Sequence, residues 1–117
     1  MPSMARLHVV VLTGNEKQAK RSATIQELVD AQSTRPVRVE LITPDWSRNW
    51  GRILKGFRRS VAHADAVVLG TYVPSELGAA ARHEVRRLHI PHVRTSKLGQ
   101  HGLADAVLAA VELVEAA

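Results

Sequence analysis

The fold is decided by residues 64–80, ADAVVLGTYVPSELGAA, in which an apolar strand runs through a short polar loop into a helix. The consecutive apolar residues 67–69 do not alternate with polar ones, as expected of a parallel strand that helices cover on both faces. Ser75 is placed to cap the following helix, and Glu76 suits its positive end. Because ligands of an open parallel sheet bind beyond the carboxyl ends of its strands, residues 70–76 form the first candidate site.

Three further stretches of the chain have the pattern of strands. Residues 8–12 form a second, mostly apolar run, so this strand also belongs in the middle of a sheet. Residues 37–42 and 92–95 alternate apolar with polar side chains, which is typical of edge strands with one wet face. A helical pattern follows each strand. Four such units predict an α/β fold with a four-stranded parallel sheet in the order 2-1-3-4 and helices on both faces, a three-layer α/β/α Rossmann-like architecture.

Length and composition fit one domain with one sheet. The chain has 117 residues, of which 45% are hydrophobic, and it has no cysteine, which excludes disulfides and thiolate metal sites. Residues 1–6, expected to be flexible, lack the apolar region of a signal peptide, and no apolar run reaches the roughly 18 residues of a membrane span. We therefore expect a soluble, cytoplasmic protein with a single domain over residues 1–117.

The predicted strand order brings the loops after the first and third strands face to face, with the loop after the fourth strand beside them. The first of these loops has one glycine, so it is neither a dinucleotide fingerprint nor a P-loop. Hydroxyl groups, N–H groups at helix starts and one lysine favour an anion site. Its predicted residues are Thr13, Gly14, Asn15, Gly70, Thr71, Tyr72, Ser75, Glu76, Ser96 and Lys97.

A predicted helix over residues 47–63 separates apolar from basic side chains. At about 100° per residue, its large apolar side chains share one face. The opposite face carries a row of cations with no carboxylate among them: Arg48, Arg52, Lys55 and Arg59. With a net charge of +5 and a pI near 10.4, the row predicts contacts with the phosphates of a nucleic acid. The alternative interpretation is an ordinary solvated helix face.

Several short motifs resemble a bacterial family of Rossmann-like domains known as domain of unknown function 2325, over about residues 7–114. The motifs are Asp65-Ala66-Val67, Ser75-Glu76, the basic helix segment Arg82–Arg87, Pro91 and Ser96-Lys97-Leu98-Gly99. The chain differs from the family pattern at Glu76, where a histidine is expected, and in the low glycine content of residues 13–15. The resemblance implies the fold and a bacterial origin, and it implies no reaction.

The residues favour a non-enzymatic domain that binds a nucleic acid or a nucleotide, and two alternatives stay open. Residues 75–80, followed by Pro91, resemble the helix start of nucleoside deoxyribosyltransferase-like domains; that resemblance implies a nucleotide-cleaving enzyme with Glu76 as nucleophile and Tyr72 orienting it. The alanine-rich helices would also suit a dimerising scaffold. The six histidines lack the spacing of zinc ligands, so no metal or other cofactor is predicted.

Overall fold

A computed structural model describes residues 6–44 and 50–117 of the chain. The described strands are β1 (Leu7–Leu12), β2 (Val37–Ile42), β3 (Ala66–Gly70) and β4 (His92–Thr95). The described helices are α1 (Glu16–Lys20), α2 (Ser22–Gln32), α3 (Trp50–Val61), α4 (Ser75–Arg87) and α5 (Gln100–Ala116). The expected flexible segment, apart from Arg6, and the predicted start of α3 at residue 47 lie outside the described residues.

The strands form one parallel sheet in the order β2-β1-β3-β4, which confirms the predicted topology. The two uninterrupted apolar strands occupy the centre, where Val10 pairs with Val67 and both are fully buried. The alternating strands lie at the edges, and each exposes an arginine, Arg38 on β2 and Arg94 on β4. Full burial of a strand requires apolar side chains on both faces, and only β1 and β3 supply them.

Each face of the sheet has its own hydrophobic core, so the domain has three layers. Val9, Val11 and Val68 pack against α2 and α5 on one face. Val10 and Val67 belong to the core on the other face, with α3 and α4. As predicted for α3, its large apolar side chains share the face turned to this core; they are Trp50, Ile53, Leu54, Phe57 and Val61. The single α/β domain therefore has the predicted α/β/α architecture.

Two helix starts are relevant to the candidate site. The segment after β1 begins as the short helix α1, whose N-cap is Asn15, and a break at Arg21 separates it from α2. The predicted cap of α4 is wrong: Pro74 is the N-cap, Ser75 is the first helical residue, and no side chain caps the helix. Proline fixes the entry of the chain into the helix through its own φ, but it offers no side-chain acceptor.

Candidate functional site

The loops after β1 and β3 are in direct contact, as the strand order predicts. The Gly14 N–H donates to the Tyr72 carbonyl oxygen at 3.1 Å. Thr13 is fully buried against Gly70, where an added Cβ would lie 2.0 Å from Thr13 Oγ1. Among the described residues the Thr13 hydroxyl has no hydrogen-bond partner. Glycine at position 70 is therefore what allows the two central strands to end side by side.

The loop between β1 and α1 is closed by hydrogen bonds of its own. The Asn15 side chain accepts the Lys17 N–H at 2.9 Å. It also accepts the Gln18 N–H, and the Asn15 N–H donates to Gln18 Oε1 at 2.9 Å, so Asn15 and Gln18 form a capping box. Gly14, at φ +90°, has the Gln18 side chain packed against it. Asn15 is thus committed to the start of α1, and its side-chain oxygen already has a donor. The Asn-x-x-Gln spacing was the sequence signal for this role.

A cleft of about 180 Å³ opens on the β4 side of the β3–α4 loop. Its lining comes from the end of β3, the following loop, the first turns of α4 and the end of β4; the residues are Gly70, Thr71, Val73, Ser75, Gly78, Arg82 and Arg94. The cleft is smaller than the roughly 300–1,000 Å³ of pockets that enclose whole small molecules. It has room for a compact group such as a phosphate, with the remainder of a ligand outside.

The cleft contains three of the predicted site residues, Gly70, Thr71 and Ser75. It lies between β3 and β4, whereas the sequence prediction centred the site between the ends of β1 and β3. The residues of the β1 loop contact the β3 loop but do not line the cleft. Of the remaining predicted residues, four also lie outside its lining: Tyr72, Glu76, Ser96 and Lys97.

The cleft also contains two arginines that the sequence prediction of the site missed. Arg94 pairs with Leu69 across the sheet, so its side chain emerges on the α4 side. Arg82 lies one turn beyond Gly78, and a Cβ at Gly78 would lie 3.5 Å from a terminal nitrogen of Arg82. Within ranges 6–44 and 50–117 neither guanidinium has an ion pair or hydrogen bond. The only sequence signals were a charged residue in an edge strand and an arginine in a basic helix.

The start of α4 adds to the positive character of the cleft. Because no side chain caps this helix, the N–H groups of its first turn are left for solvent or a ligand. The helix dipole places partial positive charge at the same end. The Ser75 and Thr71 hydroxyls supply further donors, and none of the described residues that line the cleft is acidic. The exposed Glu76 is the acidic residue of the first turn.

Comparisons with protein-family models, curated proteins and solved structures find no match to this chain. The resemblance to domain of unknown function 2325 therefore stays a prediction. So does the resemblance to nucleoside deoxyribosyltransferase-like domains.

The remaining predicted cations belong to the β4–α5 loop and to the predicted helix that contains α3. Lys97, in the β4–α5 loop, packs its aliphatic chain against Gly102, and its N–H donates to Thr95 Oγ1 at 3.1 Å. Arg52, Lys55 and Arg59 are exposed on α3, as the helical pattern predicts, whereas Arg48 lies outside the described residues.

Two other kinds of site are not found in the described part of the chain. It contains no group of three histidine, cysteine or acidic side chains placed to hold a metal ion. It also contains no helix with the length and apolar character needed to span a bilayer.

Proposed function

We propose that this domain binds a phosphate-bearing ligand, a nucleotide or a nucleic acid, in the cytoplasm and without catalysing a reaction on it. The observation that carries the proposal is the convergence of Arg82 and Arg94, both without a partner in the described structure, on the cleft at the uncapped start of α4. Two guanidinium groups without a carboxylate repel each other. An anion placed between them would remove that repulsion.

The chemistry of the cleft matches a phosphate group. Guanidinium groups present several N–H donors in a planar fork that fits phosphate oxygens, and they stay charged at every physiological pH. N–H groups at a helix start are aimed at the same ligand, and the local dipole favours negative charge. The size of the cleft limits what is enclosed to about one such group, so the sugar and base would lie outside. The exposed cations of α3 extend the positive surface available to a longer ligand.

A titration with inorganic phosphate and with nucleoside mono- and diphosphates, followed by amide NMR shifts, tests the proposal. Arg82→Gln and Arg94→Gln should each weaken binding about tenfold or more, because a hydrogen bond to a charged group contributes about 1.5–3 kcal/mol. Arg38→Gln is the matched control, since it removes an exposed arginine from the opposite edge strand. The proposal is wrong if neither cleft variant weakens binding, or if the Arg38 variant weakens it equally.

The two alternative functions gain no specific support from the described residues. Tyr72 and Glu76 are exposed and lie outside the cleft lining, so this cleft does not enclose the nucleophile that an enzyme would use. For a dimerising scaffold, the large hydrophobic side chains exposed in the described structure are Tyr72 and Leu113, which lie on different elements. Stable homodimer interfaces are built around a contiguous apolar patch.

A further inference from the structure

The two helix layers carry opposite charge. The pair α2 and α5 contains five carboxylates and no lysine or arginine; the residues are Glu27, Asp30, Asp105, Glu112 and Glu115, all exposed. The pair α3 and α4 contains seven basic side chains and two carboxylates; the basic ones are Arg52, Lys55, Arg58, Arg59, Arg82, Arg86 and Arg87. The sheet separates these two pairs of helices, so the surface of α3 and α4 is net positive and that of α2 and α5 is net negative, while the short helix α1 beside α2 adds the exposed cations Lys17, Lys20 and Arg21.

The two carboxylates of α3 and α4 neutralise little of the positive charge on the outer surface of these helices. Glu84 is buried, and it accepts a hydrogen bond from Arg87 at 2.6 Å and lies 3.7 Å from Arg58 across the seam between the two helices. Glu76 lies in the first turn of α4, at the end that the helix dipole makes positive. Within the described helices α3 and α4 no other side chain is acidic.

Outward cations lie on both helices. Arg52, Lys55 and Arg59 are three and four residues apart, so they lie in one row on the outside of α3, and none has an ion pair in the described structure. Arg58 and Arg87 fill the seam. Arg86 continues the surface outside α4, and Arg82 leads from there to the cleft. We name this whole surface the basic face.

The composition of the basic face selects the class of partner. A protein interface needs a central group of buried apolar or aromatic side chains, and single-stranded nucleic acid needs aromatic rings for base stacking. The described helices α3 and α4 expose no large apolar or aromatic side chain of either kind. The exposed large hydrophobic residues of the described structure are Tyr72 in a loop and Leu113 on α5. The phosphates of a duplex require charge and donors, and arginine supplies both.

We propose that the basic face binds the phosphate backbone of a double-stranded nucleic acid. The negative charge of α2 and α5, on the other side of the sheet, orients the domain so that the basic face approaches the duplex. The inference rests on the proposed function and narrows its ligand from a nucleotide or nucleic acid to a duplex. The cleft at the edge of the face then receives one phosphate of the same ligand.

The test is the salt dependence of binding to a short mixed-sequence DNA duplex and an RNA duplex, measured by fluorescence anisotropy with the whole chain. If Arg52, Lys55, Arg59 and Arg86 each displace one counterion from DNA, log Kd rises with log salt at a slope of about 3.6. Raising salt from about 50 to about 200 mM then weakens binding about 150-fold. The single strand of the same sequence should bind more weakly than the duplex at every salt concentration.

The decisive variant replaces Arg52, Lys55 and Arg59 with glutamine, and its matched control replaces Lys17, Lys20 and Arg21, exposed in and just after α1, with glutamine. Both variants lose three positive charges from exposed positions, so circular dichroism should show that both keep the fold. The slope should fall by about 2.7 in the first variant and by less than about 1 in the control.

The other outcomes distinguish failure of the duplex proposal from failure of the proposed function. Absence of binding to either duplex, or equal slopes in the two variants, overturns the inference. Salt-sensitive self-association without duplex binding also overturns it and assigns the opposite charges to stacking of copies, basic layer on acidic layer. If phosphate still binds in the cleft while duplex binding is absent, the proposed function stands and the narrowing to a duplex is wrong. Duplex binding that is indifferent to Arg82→Gln and Arg94→Gln overturns the placement of one duplex phosphate in the cleft and limits the contact to the other cations of the basic face.

Discussion

Gly70→Ala should destabilise the domain by about 3 kcal/mol, the upper end of the usual cost of overpacking a core. The added methyl group would lie 2.0 Å from Thr13 Oγ1 and 2.2 Å from Thr13 Cβ, more than an ångström inside the 3.4 Å at which ordinary contacts begin. A rotamer change of Thr13 moves the hydroxyl but leaves its Cβ in place. The ends of β1 and β3 must therefore separate, and their closeness supports the loop that forms the cleft.

Urea unfolding and thermal unfolding followed by circular dichroism measure this cost. For a domain of this size, about 3 kcal/mol corresponds to a melting temperature lower by about 10 °C. Gly56→Ala is the matched control, because no atom of the described residues lies within 4 Å of its added Cβ in the middle of α3. The control should be more stable than the parent chain by about 0.5–1 kcal/mol, since alanine is the better helix former.

A double variant, Gly70→Ala with Thr13→Gly, tests whether the cost comes from the clash with Thr13 or from any side chain at residue 70. Thr13→Gly removes both atoms that the new methyl group would meet, so Gly70→Ala should cost much less in that background. The expected coupling between the two substitutions is about 1–3 kcal/mol, within the range found for residues in direct contact. A Gly70→Ala protein as stable as the parent, or additive effects in the double variant, would refute the reasoning.

Three further predictions concern single side chains of the site and its supports. Asn15→Ala should lower the free energy of unfolding in urea by about 1 kcal/mol, because it removes the acceptor of the Lys17 N–H. It should leave the affinity for phosphate unchanged. Weaker phosphate binding would show that Asn15 contributes to the site. The hydrogen bond from Arg87 lowers the pKa of the Glu84 carboxyl below its usual 4.5, so this carboxylate stabilises the fold above pH 4.5 and loses that effect as the pH falls. In Glu84→Gln the free energy of unfolding should therefore fall less steeply as the pH drops below 4.5. An equally steep fall would contradict the stabilising role of the Glu84 carboxylate. Glu76→Gln should tighten phosphate binding by less than about 1 kcal/mol in the NMR titration, because it removes a negative charge from the first turn of α4; weaker binding would show that the Glu76 carboxylate supports the ligand.

The pattern of apolar residues was sufficient to predict the sheet. Two uninterrupted apolar runs had to be covered on both faces, and two alternating runs had to lie at the edges. The preference of consecutive strands for neighbouring positions then favours the order 2-1-3-4 over 2-3-1-4, and the structure has the favoured order. The orientation of α3 followed from the same principle, because its apolar residues fall on one side of the helix. Burial is a local periodic property, so the sequence contains it directly.

The position of the cleft was decided by the tertiary structure alone. Arg82 and Arg94 belong to different elements, and they converge because β4 pairs with β3 in a register that turns Arg94 toward α4. Ser75 is at the start of the helix without capping it, because Pro74 already occupies the cap position. Which side chains meet depends on the register between strands and on the rotation of a helix about its axis. Neither quantity is contained in the period of any single segment, which is why the sequence did not indicate that Arg82 and Arg94 meet in this cleft.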